Sequence, residues 1–112
     1  MSSIDKATFD ELKQMSGEDF INELIDTFLE DAPKMIAEIQ SALAANDADS
    51  FRRAAHSMKS NAATFGALQF SELAKELESF GRENRLAETG NRLKELEEAY
   101  ESVRSDLKEL KS

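Results

Sequence analysis

The chain has 112 residues, 33% of them charged and 40% hydrophobic, and its 23 Asp and Glu against 14 Lys and Arg leave a formal net charge of −9. That length suits one domain, 1–112, built on a single hydrophobic core, and the acidic excess argues against nucleic acid and anionic membrane surfaces as partners. Lack of cysteine excludes disulfide scaffolds and thiolate metal sites, no apolar run approaches the roughly 20 residues of a membrane span, and the first residues hold no apolar signal core, so a cytoplasmic protein is expected.

Helical periodicity runs through almost the whole chain, and no strand-like alternation persists. A short helix is expected over "DKATFDELKQM", ended by "SGED". There, Ser16 with Asp19 three places on resembles a capping box, in its Asp form, that opens the next helix. This second helix carries Phe20, Ile21, Leu24, Ile25, Phe28 and Leu29 on one face, continued by Met35, Ile36, Ile39 and Leu43. Pro33 falls in its middle, where a kink or a break is expected. The apolar spacing crosses Pro33 nearly in phase, which favours one long kinked helix. Asp47 is the expected N-cap of a third helix, over about 48–65, and Gly66 suits the left-handed turn that ends it. A fourth helix carries Phe70, Leu73, Leu77 and Phe80 and ends near "GREN". The last helix is read as the longest, with Leu93, Leu96, Tyr100, Val103, Leu107 and Leu110 in steps of three and four. Gly90 would lie inside it, at a cost of about 1 kcal/mol relative to Ala. Four long amphipathic helices with short connections imply an all-α fold, an antiparallel four-helix bundle, with the short first helix capping one end.

The third helix carries the chain's one histidine. At about 100° per residue, Ala55, Met58, Ala62 and Phe65 fall within about 40° of Phe51, while His56 lies about 140° away. His56 therefore faces water or a partner. Arg52, Lys59, Ser60 and Ala63 are its helical neighbours, at spacings of three, four and seven. The surface around the imidazole is positively charged and, because Ser60 and Ala63 are short, low in relief. Such a ring can carry an anion such as a phosphoryl group on a nitrogen, with Lys59 neutralising its oxygens. Periodicity alone favours the plainer reading, an inert, solvated surface histidine, since charge clusters are commonly structural.

The order of residues adds a further sign. "AAHSMKSNAATFGALQFSELAKELE" resembles the histidine-containing phosphotransfer (HPt) domain of multistep phosphorelays. The correspondence runs without gaps through His56, Lys59, Gly66, Ala67, Leu73, Leu77 and Glu78, and the helix order, the "FLEDAP" segment and the length agree over nearly the whole chain. One departure is Ser60, where the family often has Gly. The resemblance implies a four-helix bundle and a phosphohistidine at His56. The phosphoryl group would come from an aspartyl phosphate on a receiver domain of a hybrid histidine kinase or response regulator, and would pass to another receiver. It further implies a carrier with no ATP site, no cofactor and no metal of its own, since the Mg²⁺ of the transfer sits in the receiver.

Elementary chemistry agrees. Imidazole is a good nucleophile near neutral pH, and in-line transfer between His and Asp is mostly positioning and charge neutralisation. Ser60 and Ala63 would give clearance, and Arg52 and Gly66 would border the site. The apolar residues Leu12, Met15, Phe20 and Leu24 are either core or, as the resemblance suggests, a docking patch bordering the histidine. Each helix has one apolar stripe, so a monomer is expected. A histidine-kinase dimerisation pair would have an acidic residue after the histidine and a proline soon after; Ser57 follows His56, and no proline lies downstream. A di-metal carboxylate bundle needs paired Glu-x-x-His motifs, and Arg53 stands where the Glu would be. The remaining rival is a helical interaction module with an inert surface histidine.

Overall fold

Asp5 begins the ordered helices by accepting hydrogen bonds from the Thr8 backbone N–H at 3.2 Å and the Thr8 hydroxyl at 2.5 Å, which satisfies an otherwise orphaned helix donor. The computed structural model describes residues 3–111; Met1, Ser2 and Ser112, at the ends of the expected domain, lie outside the described residues. Five α-helices follow one another: α1 (Lys6–Ser16), α2 (Glu18–Ala44), α3 (Ala48–Thr64), α4 (Leu68–Arg82) and α5 (Arg92–Leu110), with a 3₁₀ turn at Leu86–Glu88 before the last.

The junction between α1 and α2 differs from the capping box expected there. Ser16 remains in α1, and no side chain caps α2. Gly17, at φ 85° and ψ 158°, ends one helix and starts the next by itself, a conformation open to glycine and strained for other residues. Glu18 and Asp19 lie in the first turn of α2, where negative charge suits the helix dipole.

Helix α2 is continuous across Pro33. Proline has no N–H, so the Leu29 carbonyl one turn earlier loses its helical partner. The Tyr100 hydroxyl, from α5, donates to that carbonyl at 3.4 Å. Pro33 itself faces solvent.

Helix α3 starts as expected, with the Asp47 carboxylate accepting from the Ser50 N–H at 3.2 Å. It ends in paired reverse bonds, Gly66 N–H to Ala63 O and Ala67 N–H to Ala62 O, both at 3.0 Å, with Gly66 at φ 81°. This is the Schellman arrangement. The other end of the chain departs from expectation. Helix α2, with 27 residues, is the longest, and α5 has 19. Gly90 lies outside α5, because Asn84 and Gly90 both take left-handed φ values near 55° and the chain turns twice between α4 and α5.

The helices pack antiparallel around one core. On α3 and α4, Lys59 meets Ser71, His56 meets Glu78 and Arg52 meets Gly81, so rising numbers meet falling ones. On α2 and α5, Asp26 pairs with Lys111 and Gln40 with Glu97 in the same sense. Rings of Phe28, Phe65, Phe70 and Tyr100 gather in the centre, with neighbouring centroids 5.3–6.5 Å apart. Phe51 and Met58 of α3, Leu77 of α4 and Leu96 and Leu107 of α5 are fully buried around them. Ile4 and Phe9 are buried with this core. The amide and hydroxyl of Ser3 donate to Asp106 at 2.8 and 2.7 Å, tying the chain's start to α5. The result is the expected antiparallel four-helix bundle with a short N-terminal helix.

Tyr100→Phe should cost about 1 kcal/mol in urea unfolding, the usual net worth of one hydrogen bond. The cost should shrink in a Pro33→Ala background, where residue 33 regains an N–H for Leu29. Equal costs in both backgrounds would show that the tyrosine does not replace the missing helical bond.

Candidate functional site

Helix α3 presents its residues as the periodicity requires. Phe51, Ala55, Met58, Ala62 and Phe65 are buried, and the His56 side chain is 56% exposed. Ser60 and Ala63 lie exposed on the same face. What periodicity did not reveal is the partner beneath the ring. His56 Nδ1 lies 2.6 Å from Glu78 Oε2, and Lys59 Nζ donates to Glu78 Oε1 at 2.8 Å. Arg82, one turn further along α4, reaches Oε2 at 3.4 Å.

Glu78 is only 3% exposed. It reaches this place because α4 lies close against α3. A Cβ on Gly81 would fall 2.9 Å from Arg52 Cβ and 3.0 Å from its backbone N, so only a glycine lets the two backbones approach this closely. The Ser71 hydroxyl donates to the Lys59 carbonyl at 3.0 Å and fixes the register. Burial pushes the Glu78 carboxyl up, but the hydrogen bonds and charges of Lys59 and His56 outweigh it and hold the group below its ordinary value of 4.5. Glu78 is therefore an ionised acceptor. A carboxylate can only accept, so Nδ1 of a neutral His56 is the protonated nitrogen. Nε2 keeps its lone pair and makes no hydrogen bond among the described residues.

The other expected site residues divide. The Arg52 guanidinium turns back to Asp49 at 2.9 Å, and Arg53 shares that carboxylate at 3.2 Å. Gly66 stands ten residues beyond His56, roughly 15 Å along the helix. Its carbonyl accepts from the Asp5 N–H at 2.7 Å, and an added Cβ would meet Asp5 O at 2.8 Å. Gly66 is thus the seat of the N-terminal end of α1 and does not border the imidazole. Met15 and Phe20 are 85% and 50% exposed, whereas Leu12 and Leu24 pack partly buried against the core. Contacts between Asn61 and Met35 and between Phe65 and Phe28 fix the α2–α3 register. They place Phe20 roughly 25–30 Å along the bundle axis from the level of His56, at 1.5 Å per residue. Among the described residues, no cluster of His, Asp and Glu could hold a metal ion.

Glu78 is the residue that periodicity overlooked, although it stands in the quoted motif. A signal was present: it lies four residues after Ala74 and three before Gly81, on the buried stripe of α4. A carboxylate on such a stripe needs a partner.

A family model described as "Hpt domain" matches residues 23–106. Among solved structures, the chain is similar to the crystal structure of histidine-containing phosphotransfer protein B (HptB) from Pseudomonas aeruginosa PAO1. The two are 27% identical, with a TM-score of 0.91, over 97% of this chain and 94% of that one. No curated protein matches.

The depressed Glu78 value sets the sign of an acid effect. A carboxyl that is more acidic folded than unfolded adds stability that is complete above the unfolded value of 4.5 and is lost as pH falls through the folded value. The stability advantage of the wild type over Glu78→Gln should therefore narrow on acidification below that value. A gap in unfolding free energy that stays constant from neutral to strongly acidic pH would contradict the assigned ionisation.

Proposed function

The chain belongs to the Hpt domain family and serves histidine phosphotransfer in a phosphorelay, and from that premise we propose that His56 is the residue that carries the phosphoryl group. The observation that carries this reading is the exposed ring whose Nδ1 is engaged by buried Glu78, leaving Nε2 as the nucleophile. The donor is a receiver-domain aspartyl phosphate. The Nε2 lone pair attacks phosphorus in line, a P–N bond forms, and the P–O bond to the aspartate breaks with its electrons leaving on the carboxylate. A second receiver's aspartate takes the group by the reverse displacement. Lys59 supplies positive charge from this side. An ammonium has three donors; one is used on Glu78, and the others are free to turn to phosphoryl oxygens.

Short residues at Ser60 and Ala63 let the receiver approach the ring. A standard interface covers about 800 Å² per partner, a patch about 30 Å across. A receiver centred on His56 therefore extends about 15 Å along the bundle, short of Leu24 and Phe20, so Met15 and Phe20 join the contact only where the docked domain extends beyond a standard footprint. The chain acts as a carrier, without autokinase or ATPase activity. It works as a monomer beside cytoplasmic receivers and does not bind nucleic acid, in keeping with its charge of −9. No helix among the described residues is long and apolar enough to cross a membrane.

His56→Gln should fold normally by circular dichroism and take up no label from phosphorylated receivers. The wild-type label should be acid-labile and base-stable, as a phosphoramidate is, and labelled ATP alone should give none. Normal labelling of the variant would end the assignment.

Ser60 tests the clearance argument. Ser60→Ala and Ser60→Gly should transfer nearly as wild type. Ser60→Gln should fold and yet transfer on the order of a hundredfold more slowly, since a misplacement of about 1 Å has that effect in positioning-dominated reactions. Failure of Ala as severe as that of Gln would mean that the hydroxyl itself is required.

A further inference from the structure

We infer that Leu68, at the start of α4, is the apolar anchor on which the receiver domain docks. It fits a partner that carries an apolar surface about 10–15 Å from its phosphoaspartate, inside the reach of a standard interface. The inference rests on the reading of His56 as carrier and concerns which surface around the ring holds the partner.

Among the described residues the exposed large apolar side chains are Met15, Phe20 and Leu68, the last at 52%. Leu68 lies on the same side of the bundle as the ring. On α4, at about 100° per residue, Leu68, Lys75 and Arg82 fall within about 40° of one another. Arg82 reaches Glu78 beside His56, so this stripe borders the ring. On α3 the matching stripe is His56 and Ala63, both exposed. The α3–α4 register, with Lys59 against Ser71 and His56 against Glu78, sets Leu68 beside residues 62–66 of α3. That is roughly 9–15 Å along the axis from His56, at 1.5 Å per residue. A receiver footprint about 15 Å in radius covers Leu68 and stops short of Phe20.

Local rules do not account for a leucine here. The start of a helix favours Ser, Asp, Glu or Pro, yet α4 has neither a side-chain cap nor an acidic residue in its first turn. The position is nevertheless fixed. The Gly66 carbonyl accepts from the Leu68 N–H at 2.9 Å and from the Asp5 N–H at 2.7 Å, so α1 and the α3–α4 turn together hold the base of the side chain. A leucine mounted this way loses little freedom on contact. The charges suit the same partner. Lys59, Lys75 and Arg82 line this side of a chain whose net charge is −9, and they complement an aspartyl phosphate. Glu72, one turn beyond Leu68, falls on the edge of the stripe away from α3 and forms part of a polar rim. An acidic residue in the first turn itself would set like charge against the incoming phosphoryl group.

The test uses the phosphorylated receiver domain that labels the wild type fastest. Leu68→Gln and Leu68→Ala should fold as wild type by circular dichroism. Each should raise the KM for that receiver about 5–30-fold, the range for losing a central interface side chain, and leave the rate at saturation unchanged. Phe20→Gln should raise KM less. In the wild type, the Leu68 methyl NMR signals should shift when the receiver is added. Unmoved methyl signals would overturn the proposal without any variant. So would an unchanged KM, a loss confined to the saturating rate, or a larger effect from Phe20→Gln. A wild-type dimer in light scattering that Leu68→Gln dissociates would give this face to a second copy and refute the assignment as well. If wild-type protein accepts no label from any receiver, the reading of His56 fails; if it accepts label and Leu68→Gln matches its KM, only the present inference fails.

Discussion

Removing the Glu78 carboxylate from water costs several kcal/mol, and the contact between α3 and α4 is arranged around offsetting that cost. Three groups converge on its two oxygens: the His56 ring, the Lys59 ammonium and the Arg82 guanidinium. They can do so only because Gly81 lets α4 lie against the backbone of Arg52. One buried charge thereby couples the packing of two helices to the orientation of the ring at the surface. The same contacts keep the group ionised, and so determine which nitrogen of His56 faces solvent with a free lone pair.

The remainder of the bundle provides a rigid mount for this pair. Helix α2 runs the length of the molecule, through a proline that leaves one carbonyl without its helical partner, and α5 supplies the Tyr100 hydroxyl in its place. The aromatic cluster of Phe28, Phe65, Phe70 and Tyr100 joins all four long helices at the centre. At the end opposite the α2–α3 turn, α1 is seated on Gly66, and the exposed Met15 and Phe20 are carried there. The polar site and the apolar patch are therefore separated along the axis. A docking domain that uses both must span much of one side of the bundle.

Local rules account for what was legible in the residues themselves. Helical periodicity placed four long helices and put His56 on the outer face of α3, because burial of Phe51, Met58 and Ala62 leaves the opposite side of that helix in water. Asp47 and Gly66 marked the ends of α3 through short-range hydrogen bonding and a left-handed turn. Where these rules conflicted, they misled. Ser16 and Asp19 matched a capping pattern, but Gly17 can reverse the chain alone. Leucine spacing suggested a longer last helix, but Asn84 and Gly90 adopt left-handed turns that spacing does not register.

By itself, the sequence determined the helix order, the faces of the amphipathic helices, the exposure of the single imidazole and the charged company it keeps, since all of these depend on neighbours within about two helical turns. Only the tertiary structure decided what lies under the ring. Glu78 is 22 residues from His56, and no periodicity within one helix relates two positions on different helices. Their meeting depends on the antiparallel register of α3 and α4 and on the close approach at Gly81. The same reason moved Phe20 away from the imidazole, since proximity across the bundle is set by packing, whereas Gly66 is distant by its ten-residue spacing along α3 and Arg52 turns to Asp49 within that helix.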